Sequence, residues 1–108
     1  MNERTESAKR VAARYLTKQA GAHQYTEYVE IPDVKKAFAK FKAKNKASLP
    51  PNANLEVRDV PPMSKGQAGG VAAREGFKNI TRSYLVAFPV GSDGAVTGWY
   101  FLSNHYFD

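Results

Sequence analysis

Residues 81–90, TRSYLVAFPV, and residues 95–104, AVTGWYFLSN, flank the tetrapeptide Gly91-Ser92-Asp93-Gly94. Two β-rich runs joined by a short Gly/Asp loop predict a hairpin. Side chains alternate across a strand, and both runs carry apolar groups on both faces. Tyr84, Val86 and Phe88 oppose Leu85 and Ala87, and Val96, Tyr100 and Leu102 oppose Trp99 and Phe101. A strand apolar on both faces must be covered on both faces. Pro89 has no N–H to give to a ladder, so it is expected at a sheet edge or a bulge.

Working outward from the hairpin, residues 54–60 (NLEVRDV) predict a short strand stopped by Pro61-Pro62, and residues 25–31 (YTEYVEI) predict another. In the latter, Tyr25, Glu27, Val29 and Ile31 fall on one face and Thr26, Tyr28 and Glu30 on the other. Residues 33–46 predict a helix, with Val34, Ala37, Phe38 and Phe41 as its buried stripe, Pro32 at its entry and Asp33 near its positive end. Residues 5–20 predict a first helix on the stripe Ala8, Val11, Ala12, Tyr15 and Leu16, capped by Thr5 or Ser7 and closed at Gly21. Residues 70–78 (GVAAREGFK) read either as a turn or two of helix, weakened by Gly76, or as a loop. The expected architecture is one α+β domain over residues 1–108: a mainly antiparallel four-stranded sheet with two helices packed on one face and a C-terminal β-hairpin. Val11, Tyr15, Leu16, Val34, Phe38, Phe41, Leu85, Val86 and Phe101 are its expected common core.

The chain has 108 residues, 43% hydrophobic and 24% charged, which is ordinary for a globular domain and unlike a disordered or fibrous chain. It has no cysteine, which excludes disulfides, thiolate metal sites and a cysteine nucleophile. No apolar run approaches the ~20 residues of a membrane helix. Glu3 and Glu6 argue against a transit peptide at the Arg-rich N-terminus, and the expected location is cytoplasmic.

Charge is distributed unevenly. Residues 1–48 hold eleven Lys+Arg against five Asp+Glu, and residues 49–108 hold five of each, so the net +6 lies on the two long predicted helices and their surroundings. A basic helical face attracts polyanions. The expected function is that of a small non-enzymatic binding protein contacting nucleic acid, with Lys9, Arg10, Arg14, Lys35, Lys36, Lys40 and Lys44 on phosphates. Such contacts position a nucleic acid without reading its sequence. The competing expectation is a protein-interaction module, an inhibitor, adaptor or assembly subunit, that meets a protein partner or a second copy through residues 81–104.

Three further features are weaker. Ser64-Lys65-Gly66-Gln67-Ala68-Gly69-Gly70 reads as a flexible surface loop; Gly66-Gln67-Ala68-Gly69 matches the GXXG spacing of KH domains, but Val60-Pro61-Pro62 is a poor helix to lead into it. Seven of thirteen aromatics lie from Tyr84 onward, where they serve either as core or as a base-stacking platform. His23 and His105 are the chain's histidines; His105 stands near Asp108, but no positioned nucleophile accompanies the pair and no carboxylates have metal spacing. No catalytic residue, cofactor or metal is expected.

Overall fold

The computed structural model describes residues 21–107. The elements are β1 (Gly21–Val29), α1 (Val34–Asn45), a 3-10 turn (Lys46–Ser48), β2 (Leu55–Val57), α2 (Lys65–Lys78), β3 (Tyr84–Ser92) and β4 (Ala95–Phe107). The first predicted helix, residues 5–20, lies outside the described residues, and with it the expected core positions Val11, Tyr15 and Leu16.

The hairpin forms as the sequence predicts, with a tighter turn. Gly91 and Ser92 belong to the strand, and Asp93-Gly94 alone makes the loop. Both turn residues have positive φ, 52° and 77°, the geometry of a two-residue turn that matches the strand twist. At Gly91, where the register shifts, an added Cβ would lie 1.8 Å from the Ala95 carbonyl oxygen, so no side chain fits there.

The sheet order is β1-β4-β3-β2. β1 and β3 pair antiparallel with β4, but β2 pairs parallel with β3, Leu55 opposite Leu85. The sheet is therefore mixed, not mainly antiparallel. The reason is the connection. Parallel neighbours need a crossover, and α2 supplies it between β2 and β3. β2 ends after three residues, and the chain rejoins the edge only at Met63, whose N–H donates to the Pro89 carbonyl at 3.2 Å. Pro89 thus places its missing N–H where the neighbouring strand has left the sheet.

The two described helices, α1 and α2, cover opposite faces of the sheet; the helix expected beside α1 on one face, residues 5–20, lies outside the described residues. On one side Ala37 and Phe41 of α1 and Leu49 pack against Val29, Leu85, Ala87, Trp99 and Phe101. On the other side Ala68 and Ala72 of α2 pack against Tyr84, Val86, Phe88, Val90 and Leu102. Odd and even positions of β3 and β4 separate between the two clusters up to the bulge at Val90/Gly91, beyond which Val96 packs with the odd-numbered set. Val86 is consequently buried as expected, but on the opposite face from Leu85 and Phe101, because neighbours along a strand cannot share a face. Phe38 and Val34 are half-buried at the margin of the α1 cluster, and Phe41 is its centre.

The glycine-rich segment expected as a surface loop is the first turn of α2. Ser64 caps it: the Gln67 N–H donates to Ser64 Oγ at 3.2 Å, and the Ser64 N–H donates to Gln67 Oε1 at 3.1 Å. This reciprocal arrangement satisfies two groups that a helix start otherwise leaves free. The small residues Ala68, Ala72 and Gly76 then form the buried stripe. Gly69 lies close over Tyr100, whose hydroxyl would be 3.3 Å from an added Cβ. Gly66-Gln67-Ala68-Gly69 is helical and joins no pair of helices.

Candidate nucleic-acid interface

α1 carries the site, and its first turn is fixed at two points. The Asp33 carboxylate accepts from the Lys35 and Lys36 N–H groups at 2.9 and 3.1 Å. The Trp99 indole N–H donates to the Pro32 carbonyl at 2.8 Å, which ties the helix entry to the central strand. Phe41 then stacks on Phe101 with ring centroids 4.8 Å apart. With Ala37 and Phe41 both fully buried, the rotation of the helix is set, and every lysine on it is exposed.

At 100° per residue the outward crest of α1 falls on Ala39 and Ala43, both exposed. Lys36, Lys40 and Lys44 form a row on one side of this crest. Lys35 and Lys42, with Lys46 just beyond the helix end, form a row on the other. Two rows of cations thus border a low ridge of methyl groups.

The lysines differ in how free they are. Lys44 Nζ donates to Glu27 Oε2 at 2.8 Å. Asn45 and Tyr25 also donate to the Glu27 carboxylate, at 3.1 and 3.3 Å. Partial burial pushes the Glu27 carboxyl upward, but the hydrogen bonds from Lys44 and Asn45 and the lysine's charge outweigh it and hold the group below its ordinary value. The same pair raises Lys44. Lys42 sits over the Phe38 ring, 5.0 Å from its centroid. Lys35, Lys36, Lys40 and Lys46 make no ion pair with a carboxylate among the described residues. Of the positions expected on phosphates, Lys35, Lys36 and Lys40 are therefore brought together and free, Lys44 is engaged, and Lys9, Arg10 and Arg14 lie outside the described residues.

On the opposite face the cations are more occupied. Arg58 reaches Glu75 through two hydrogen bonds, 2.9 and 2.5 Å, and also approaches Glu56 at 3.4 Å. Arg82 approaches Glu56 at 3.7 Å, and Lys65 lies 5.0 Å from the centre of the Tyr28 ring.

The other sequence features resolve as structure. Tyr84, Phe88, Trp99 and Phe101 are buried under the two helices, so these aromatics are core and the sheet offers no open stacking face there. The apolar faces of the hairpin, the surface expected for a protein partner or second copy, are covered by α1 and α2. His23 and His105 are register partners on β1 and β4, and the His105 ring lies 4.4 Å from that of Phe107. No group of three or more His, Asp or Glu side chains among the described residues is placed to hold a metal ion. No described helix is long and apolar enough to cross a membrane. Compared with protein families, curated proteins and solved structures, the chain finds no match in any of the three.

Proposed function

We propose that the chain is a small binding protein, without chemistry of its own, whose α1 crest contacts the phosphate backbone of a nucleic acid. The observation that carries the reading is the pair of lysine rows bordering Ala39 and Ala43, with Lys35, Lys36 and Lys40 free of carboxylate partners among the described residues. The low alanine ridge admits a phosphate chain between the rows, and ammonium groups on flexible stems contact phosphates as point charges. Contacts of this kind set position and contribute no base readout.

Titration of labelled duplex and single-stranded oligonucleotides over a salt series tests the proposal. Each phosphate contact contributes about −0.9 to the log–log salt slope on duplex DNA, so contacts from Lys35, Lys36 and Lys40 give a slope of about −3. Lys36→Glu with Lys40→Glu should abolish binding, and Lys65→Glu with Lys78→Glu, on the opposite face, should leave most of it. No binding at low ionic strength, or equal losses from the two double reversals, would remove the reading.

A further inference from the structure

α1 covers only part of its face of the sheet, lying chiefly over β4 and β1. Toward β3 and β2 the covering is taken over by residues 46–53, from which Leu49 and Ala53 join the α1 cluster. This segment leaves the helix through the 3-10 turn and reaches Leu49 in an extended conformation (φ −92°, ψ 148°), the one favoured before a proline. Helix and segment do not close on each other. Between them runs a groove of about 360 Å³, with buried Leu49, Pro50 and Leu85 as its floor and half-buried Phe38 and Ala53 as its walls. That volume falls within the ~300–1,000 Å³ of small-molecule sites.

The rim of the groove is cationic. Lys42 and Lys46, both exposed, stand at its mouth. A lysine so placed gives its methylene stem to the apolar wall and keeps its head in water. Lys42 Nζ lies 5.0 Å from the centre of the Phe38 ring, and that ring is held in place by Phe41 and Phe101, with centroids 6.4 and 5.8 Å away. Neither lysine pairs with a carboxylate among the described residues, and no acidic side chain lines the groove. Pro50 and Pro51 have no N–H, so their stretch of the lining offers no backbone donor. An apolar floor without donors, beneath two free cations, complements a molecule with an apolar body and an anionic head. A neutral apolar ligand would leave the cations unused, and a bare inorganic anion would leave the floor unfilled.

We infer that this groove binds a small amphiphilic carboxylate, an aryl or short acyl acid, with its body on Leu49, Pro50 and Leu85 and its carboxylate between the Lys42 and Lys46 ammonium groups. The inference is independent of the nucleic-acid reading, whose free cations Lys35, Lys36 and Lys40 are not in the lining. Hydrogen bonds between charged partners are the strong ones, so the head group should account for about tenfold or more of the affinity.

Titration of the isotope-labelled full-length protein with naphthoate and with octanoate, followed by amide NMR shifts, tests it. Shifts should concentrate at Phe38, Lys46, Leu49, Ala53 and Leu85. Naphthylmethanol, the same ring without the charge, should bind about tenfold or more weaker, and naphthylmethylammonium weaker still. Lys42→Gln with Lys46→Gln, at two exposed positions, should bring naphthoate down to the affinity of the alcohol and leave the alcohol unchanged. Lys36→Gln with Lys40→Gln should leave naphthoate binding in place. No binding of either carboxylate at millimolar concentration, shifts centred elsewhere, or equal affinity for naphthoate and its alcohol overturns the inference. So does a preference for the carboxylate that survives the first double variant, or an equal loss from the second.

Discussion

The two faces of this sheet solve the same packing problem in opposite ways. Against α1 the contact is large on large: Phe41 and Phe38 meet Phe101, and Trp99 fixes the helix entry by a hydrogen bond. Against α2 the helix contributes almost nothing but backbone, with Ala68, Ala72 and Gly76 laid on Tyr84, Val86, Phe88 and Leu102. On the first face the helix supplies the bulk; on the second the strands do. The faces should therefore fail differently when changed.

The largest expected effect is removal of bulk from the first face. Phe41→Ala deletes a fully buried ring that contacts Tyr25, Phe38 and Phe101, and should cost about 3–5 kcal/mol in urea unfolding. A cost below ~1 kcal/mol would mean that the aromatic cluster does not organise this face. On the second face the damaging change is addition. Ala72→Leu forces new methyl groups between helix and sheet and should cost about 1–3 kcal/mol, whereas the same change at Ala39, on the exposed α1 crest, should cost little. If Ala72→Leu is neutral, the close approach of α2 is not required.

A smaller effect has the opposite sign. Gly66 is helical and exposed, and an added Cβ meets nothing within 4 Å. Gly66→Ala should stabilise by about 0.5–1 kcal/mol, seen as a higher urea midpoint at constant slope. The smallest effects separate the faces by pH. Glu27, on the α1 face, is held below its ordinary value, so its stabilising contribution is present above the carboxylate range and lost as pH falls through it. Tyr84, on the α2 face, is raised by burial and then by the nearby Glu75 charge, so its contribution is present below the ordinary tyrosine value of about 10 and lost as pH rises past it. Glu27→Gln should flatten the acid limb of a stability–pH curve, and Tyr84→Phe the alkaline limb. Exchange of the two outcomes would reverse the assignment of these groups to the two faces.

The same contrast explains what was legible in the sequence. α1 advertises itself through apolar spacing, Pro32 and Asp33, and the hairpin through Asp93-Gly94 between alternating strands. The face assignment of β1 was equally readable: Tyr25, Glu27 and Val29 do point to α1. α2 was hidden by glycines at 66, 69, 70 and 76, each of which disfavours a helix by about 1 kcal/mol relative to alanine. The counter-signal was present in Ser64-x-x-Gln67 and in small residues at 68, 72 and 76, spaced by four. Reading only residues 70–78 as a possible turn or two of helix, and 64–70 as loop, left the crossover too short to see, and with it the parallel pairing of β2. At the candidate site the free lysines could be listed from the sequence, but the engagement of Lys44 could not. It depends on Glu27 arriving from another strand, a tertiary contact that no local pattern encodes.

The strand order has a consequence for how the chain assembles. Among the described residues β1 pairs only with β4, from Val29 opposite Trp99 to Gly21 opposite Phe107. The first of these strands in the sequence therefore has no place in the sheet until the last has been made. A ribosome would release α1, β2, α2 and β3 while β1 still waits, exposing the ladder edge and the apolar half of Tyr25 and Val29 throughout synthesis. Pairings this distant in sequence carry a loop-closure cost before any return, and they place the molecule with slowly closing sheets, not with fast local folders. The interval before β4 arrives is the window in which a chaperone, or an unwanted strand from another chain, would find β1 open.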